Sequence, residues 1–134
     1  MTRCHTAVCD RIGTFARRVK AQSLNVHGSQ WQTKGWPDVI VWWKLFPHYC
    51  AGFEVKWKED ELSKIQHQRA CRLMLNKTPV VVVRAVTVSA PWKVQRVVPD
   101  NRKARETLAI VANAQELFKF IRTWDEILET SEGN

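Results

Sequence analysis

The sequence has no uninterrupted apolar run approaching the roughly 18 residues that a membrane-spanning helix needs. It has no C-x-x-C pair, no internal repeat and no low-complexity linker. Met1 to Asp10 contains no apolar stretch of the kind that forms the centre of a signal peptide. These absences lead to the expectation of a cytoplasmic protein in a reducing compartment, with no membrane partner and no small-molecule cofactor. The four cysteines then read as thiols rather than as a disulfide framework. Cys4, His5, Cys9, His48, Cys50 and Cys71 are the residues that could ligate zinc, but the missing C-x-x-C spacing argues against a structural zinc site. Cys71 falls within a helix-like stretch and reads as a small core residue.

What is present is positive charge. Lysine and arginine number 21 against 13 acids, a net charge of +8, and the isoelectric point is about 9.7. That balance points to a polyanionic partner without specifying which one. The 134 residues, 45% of them hydrophobic, are enough for one domain with a real core. A single domain over residues 1–134 is expected, with 130–134 a frayed tail.

Apolar residues at Ile12, Phe15, Ala16, Val19 and Leu24 predict an amphipathic helix from Asp10 to Leu24. A polar segment from Asn25 to Gly35 follows. Val39 to Trp43 is β-branched and aromatic, and Phe53 to Trp57 alternates, so the two form a hairpin around Pro47 and Gly52. Leu62 to Lys77 has helical spacing and ends before Pro79. Val80 to Val83 reads as a strand buried on both faces. Val86 to Val98 resembles an edge strand interrupted at Pro91. Thr107 to Ala112 is ambiguous between strand and helix. Asn113 and Glu116 have capping-box spacing and should open a last helix through Leu128. The order implies an α/β fold, a mixed sheet flanked by helices.

Glu54 and Lys56 lie two apart on a strand and share a face, while Phe53, Val55 and Trp57 point the other way. A D/E-x-K triplet arises about once in a chain of this composition, so alone it carries no weight. Asp38 adds the weight. In a hairpin centred near Phe46 opposed residue numbers sum to 92, which sets Asp38 across from Glu54 with β-carbons roughly 5 Å apart. Two carboxylates that close repel unless a cation sits between them. With Lys56 beside them they form what a metal-dependent phosphodiesterase requires: ligands for a hard cation and a lysine to orient or deprotonate the attacking water. The plainer alternative is that Asp38 caps a turn after Pro37.

Gly35-Trp36-Pro37-Asp38, then Glu54-Val55-Lys56, then Leu62-Ser63-Lys64-Ile65-Gln66, then Val80 to Arg84 resemble the virus-type replication-repair nuclease (VRR-NUC) branch of the PD-(D/E)xK nuclease superfamily. The resemblance covers Gly35 to Val86. It implies a restriction-endonuclease-like fold and DNA cleavage with Mg²⁺ or Mn²⁺. Small members, often phage-encoded, are similar to Holliday-junction resolvases and act as homodimers. By the same resemblance Asp38, Glu54 and the Val55 carbonyl are metal ligands and Lys56 is the catalytic lysine. Gln66 then projects toward the site, although Ser63 and Gln66 also form an S-x-x-Q capping box. Such nucleases carry a further acidic ligand, most often glutamate, in the first helix. Asp10 is the only acid before Asp38, so it is the expected ligand there.

Trp31 and Trp36 are candidates to stack on bases. Arg17, Arg18, Lys20, Lys34, Lys44, Lys58, Lys64 and Arg69 are candidate phosphate contacts. Leu117, Phe118, Phe120, Ile121 and Trp124 of the last helix, with the tryptophan-rich hairpin, are the candidate dimer surface. The leading reading is a metal-dependent endonuclease selective for branched DNA. An RNA or single-strand nuclease, or a non-catalytic nucleic-acid-binding protein, are the alternatives.

Overall fold

Four consecutive valines, Val80–Val83, have no wet face, and the fold is organised around them. The computed structural model describes residues 3–25, 35–42 and 50–123. In chain order its elements are α1 (Arg3–Arg18), β1 (Gln22–Asn25), β2 (Val39–Trp42), β3 (Cys50–Trp57), α2 (Lys64–Leu75), β4 (Val80–Ala85), β5 (Trp92–Arg96), β6 (Glu106–Val111) and α3 (Ala114–Arg122). The six strands form one sheet in sequence order. All neighbours pair antiparallel except β3 and β4, which run parallel and are joined by α2. The fold is therefore mixed α/β, a six-stranded sheet flanked by three helices, consistent with the restriction-endonuclease-like expectation.

The alternation of β3 and β4 divides the interior in two. Phe53 and Val55 pack with Val81, Val83 and Ala85 beneath α1 and α3. Val80 and Val82 turn to the opposite face and meet Leu62, Ala70 and Val97 beneath α2. Phe118 of α3 stacks on Phe53 at 5.8 Å and takes Phe15 of α1 edge-on at 5.0 Å, tying both helices to the sheet. Glu54 and Lys56, out of phase with Phe53 and Val55, belong to the face that α2 covers.

Several sequence expectations change here. The first helix begins at Arg3 rather than Asp10 and ends at Arg18. Lys20 takes a left-handed conformation (φ 60°), and Gln22–Asn25 leaves the helix to become the edge strand β1. The segment around Pro91 is not an edge, because β5 is paired on both sides and β6 takes the edge. Thr107 to Val111 resolves as strand, within β6. Leu117, Phe118 and Ile121 are buried, and Phe120 packs against the same core, so these residues of α3 serve the sheet rather than a partner. Trp124 lies outside the described residues, as do Trp31, Lys34, Trp43, Lys44 and His48.

Candidate active site

The site forms where the β2–β3 ladder stops. Val39 pairs with Phe53 and Trp42 with Cys50, so opposed numbers do sum to 92. Gly52 N donates to Pro79 O at 2.9 Å, which turns even-numbered amides of β3 toward β4 and odd-numbered ones toward β2. Extending that register would set Pro37 opposite Val55. Proline has no N–H to give, so no further rung forms. Two side chains take its place. Val55 N donates to Asp38 Oδ2 at 2.8 Å. The Val55 carbonyl accepts from His5 Nε2 at 2.7 Å, which fixes the proton on that nitrogen. His5 Nε2 is also 3.3 Å from Asp38 Oδ2. The Asp38 carboxylate and the Val55 carbonyl therefore converge on one point, filled by an imidazole from α1.

Two glycines let the Pro37–Asp38 segment lie this close. A β-carbon on Gly52 would sit 2.8 Å from Pro37 Cγ. Gly35 has φ +89°, and a β-carbon there would sit 2.8 Å from the Ile65 carbonyl and collide with the Ile65 side chain. Trp36, between them, lies under the Arg69 guanidinium at 5.1 Å. These two residues, candidates for base stacking and phosphate contact, engage each other and fix the strand entrance to α2.

Asp38 and Glu54 are 5% and 4% exposed, and they hydrogen-bond to each other. Burial pushes the Glu54 carboxyl well above its ordinary range, and the neighbouring Asp38 charge adds to this. Burial would also raise Asp38, but hydrogen bonds from His5, Glu54 and the Val55 amide outweigh it and hold Asp38 below the usual value. The two carboxyl groups are thus pushed in opposite directions, as two acids sharing one buried site are.

Gln66 closes the cap that its spacing suggests and also reaches the two charged residues of β3. Its Oε1 accepts from Ser63 N at 2.8 Å while Ser63 Oγ accepts from Gln66 N at 3.1 Å, closing the capping box. The same Oε1 accepts from Lys56 Nζ at 2.9 Å, and Gln66 Nε2 donates to Glu54 Oε1 at 3.2 Å. Lys56 Nζ is 4.0 Å from Glu54 Oε1. One side chain at the start of α2 therefore spaces the lysine from the carboxyl. The turn leading into α2 is pinned by arginines: Arg84 donates to the carbonyls of Lys58 and Asp60, both at 2.7 Å, and Arg102 to that of Leu62 at 2.8 Å. Arg105 bonds the carbonyl and carboxylate of Glu59.

Asp10 is placed elsewhere. It is exposed and lines a cleft of about 500 Å³ with Arg11, Arg18, Trp92 and Asn113. On a helix it sits about 100° further round than Cys9, and it is Cys9 that shares the inward face with His5. The side chains that α1 sends toward Asp38 are accordingly His5 and Cys9, whose Sγ is 3.9 Å from His5 Nδ1. Spacing by four residues shows that these two lie together; nothing in the sequence shows that Asp38 joins them. Asp38, Glu54 and the Val55 carbonyl are oxygen donors of the kind that hard divalent cations take, and both carboxyl groups are buried. Neither a protein-family model nor a curated protein matches the sequence.

Proposed function

We propose that the protein is a divalent-metal-dependent phosphodiesterase acting on DNA. The observation that carries this reading is the buried Asp38–Glu54 pair, held across the end of the hairpin with Lys56 fixed beside it by Gln66. Burying two carboxylates together costs stability, and proteins keep such pairs where a cation or a reaction uses them. Asp38, Glu54 and the Val55 carbonyl would hold the ion, Mg²⁺ or Mn²⁺ by the resemblance. A bound divalent cation supplies a water activated near neutral pH and offsets charge on the scissile phosphate. Glu54 would have to be ionised to serve as a ligand. Asp38 stays oriented by the Val55 amide. Lys56 Nζ, half-buried and steered by Gln66 Oε1, orients the attacking water or a phosphate oxygen.

A net charge of +8 supports a polynucleotide substrate. Branched DNA as the preferred form, and a two-fold dimer to make paired cuts, extend the proposal. Such a dimer would not use Leu117, Phe118 or Ile121, which lie in the core.

The test is a divalent-metal titration with supercoiled plasmid, four-way junction, single-stranded DNA and RNA. Metal-dependent cutting lost in Asp38→Asn and Glu54→Gln supports the reading. Cutting that persists in excess EDTA, or in both variants, overturns it. Sedimentation of the protein with a junction bound decides the dimer.

A further inference from the structure

The ligand set that α1 contributes is not one that Mg²⁺ favours. Mg²⁺ takes oxygen donors in a strict octahedron, whereas imidazole and thiolate draw zinc-class ions. Among the described residues, His5, Cys9 and Asp38 are the one group of three metal-ligating side chains whose donor atoms all lie within 4.8 Å of one another. They offer one nitrogen, one sulfur and one oxygen. We infer that the cation of this site is a zinc-class ion held by His5, Cys9 and Asp38. This rests on the reading that Asp38 holds a cation; it replaces the Mg²⁺ or Mn²⁺ of that reading, and its Glu54 and Val55 ligands, with a zinc-class ion on His5, Cys9 and Asp38.

Three observations support the assignment. A tetrahedral site with Zn–N of about 2.0–2.1 Å and Zn–S of about 2.3 Å has donor–donor edges near 3.4 Å for N–O and near 3.6 Å for N–S. His5 Nε2 to Asp38 Oδ2 is 3.3 Å, close to the N–O edge. Cys9 Sγ lies 3.9 Å from the other ring nitrogen, Nδ1, and with one donor atom from each residue no separation exceeds 4.8 Å, roughly 1 Å more than such an edge. Second, Cys9 is fully buried with its Sγ facing the same group as the Asp38 carboxylate, both donor atoms lying within 4.8 Å of each other. Third, three protein ligands leave a fourth position open, the arrangement of catalytic rather than structural zinc.

Ligation through His5 Nε2 would require its proton to move to Nδ1, the Cys9 thiol to lose its proton to solvent, and the Val55 carbonyl to give up its imidazole donor. No redox change is involved.

The experiment is calorimetric and spectroscopic titration of the full chain, metal-free, with Co²⁺ and Mg²⁺. The expected result is one Co²⁺ per chain, with intense low-symmetry visible bands and a near-ultraviolet thiolate-to-cobalt band. Cys9→Ser and Cys9→Ala should both lose the thiolate band. His5→Gln, which can still donate to the Val55 carbonyl, should weaken Co²⁺ by at least about tenfold, the scale on which even outer-shell partners act. Cys71→Ser should change neither. Circular dichroism of each variant checks folding. Co²⁺ bound equally by the wild type, Cys9→Ala and His5→Gln, without a thiolate band but lost in Asp38→Asn, overturns the zinc-class assignment and leaves the proposed phosphodiesterase standing. Co²⁺ binding unchanged in Asp38→Asn overturns both.

Discussion

The chain carries the same four-residue step twice, His5–Cys9 on α1 and His67–Cys71 on α2. Both histidines use Nε2 on a backbone carbonyl, Val55 O at 2.7 Å and Val98 O at 2.8 Å. Each cysteine lies against its ring, Cys9 Sγ 3.9 Å from His5 Nδ1 and Cys71 Sγ 3.7 Å from His67 Nε2. The spacing is the same, although the cysteines meet different ring nitrogens. What differs most is the third party. His5 meets a buried carboxylate at 3.3 Å, while among the described residues no carboxylate completes a ligand group with His67 and Cys71. Cys71 feels Asp100 only as a distant charge that, with burial, raises its thiol somewhat. The helix supplies the pair, and the broken ladder at Pro37 supplies the carboxylate.

The sharpest break in that comparison is removal of the carboxylate. Asp38→Asn should bring plasmid cleavage to background in any divalent metal, whereas Asp100→Asn should leave it unchanged; equal effects would erase the distinction between the two pairs. Next comes Gln66. Gln66→Ala releases both Lys56 and Glu54 and should lower the single-turnover cleavage rate by about 10–100-fold. Ser63→Ala removes the cap for about 1 kcal/mol but leaves those contacts, so urea unfolding should register it and the rate should not. If both variants lose rate alike, Gln66 acts through the helix alone.

A third difference lies in pH. Glu54 has its folded pKa raised, so its stabilising contribution is full below the unfolded value of about 4.3 and is lost as pH rises through the folded value. Asp38, lowered in the fold, behaves oppositely: its contribution is present above its unfolded value and is lost as pH falls. In EDTA, thermal unfolding across a pH series should show stability falling on the alkaline side of that window, and Glu54→Gln should remove the fall. Saturating metal should remove it too. The smallest contrast is between the cysteines. Cys9→Ser places a hydroxyl in a fully buried position and should cost about 1–3 kcal/mol. Cys71→Ser, half-buried, should cost no more than about 0.5 kcal/mol, as surface substitutions do.

Much of this centre was readable in the sequence because it is built from local rules. The hairpin register followed from two alternating strands around Phe46, and it places Asp38 against Glu54 as expected. Ser63 and Gln66 announced their cap by spacing, and four valines announced a strand with no wet side. The misreadings share a cause. The start of α1 is polar (Arg3, His5, Thr6) and lacks the apolar rhythm that shows from Ile12 onward. Its end is a lysine in a left-handed turn, a conformation sequence reads from glycine or asparagine. Gln22–Asn25 is too short and polar to signal a strand, so it was absorbed into the helix. Asp10 was the only acid available to the first helix, but which face of α1 meets the sheet is decided by Val8, Ile12 and Ala16, and they turn His5 and Cys9 inward. The Asn113 cap is present, yet Glu116 bonds Ala112 N, one residue earlier than the reciprocal pattern requires.

Pro37 has a consequence beyond ending a strand. An unpaired carbonyl inside a sheet would ordinarily be closed by the next residue of its neighbour, and a loop could hold it open only by resisting that closure. At Val55 no donor exists on the opposing backbone, so the opening has nothing to anneal with, whatever the temperature. The oxygen is held in position by the rest of β3, fully paired to β4 on its other side. A group that displaces His5 there finds an acceptor whose direction was settled when the sheet formed, and it orders no further backbone on arriving. Substituting Pro37 with a residue bearing an N–H would give the sheet one more rung and close that preorganised acceptor.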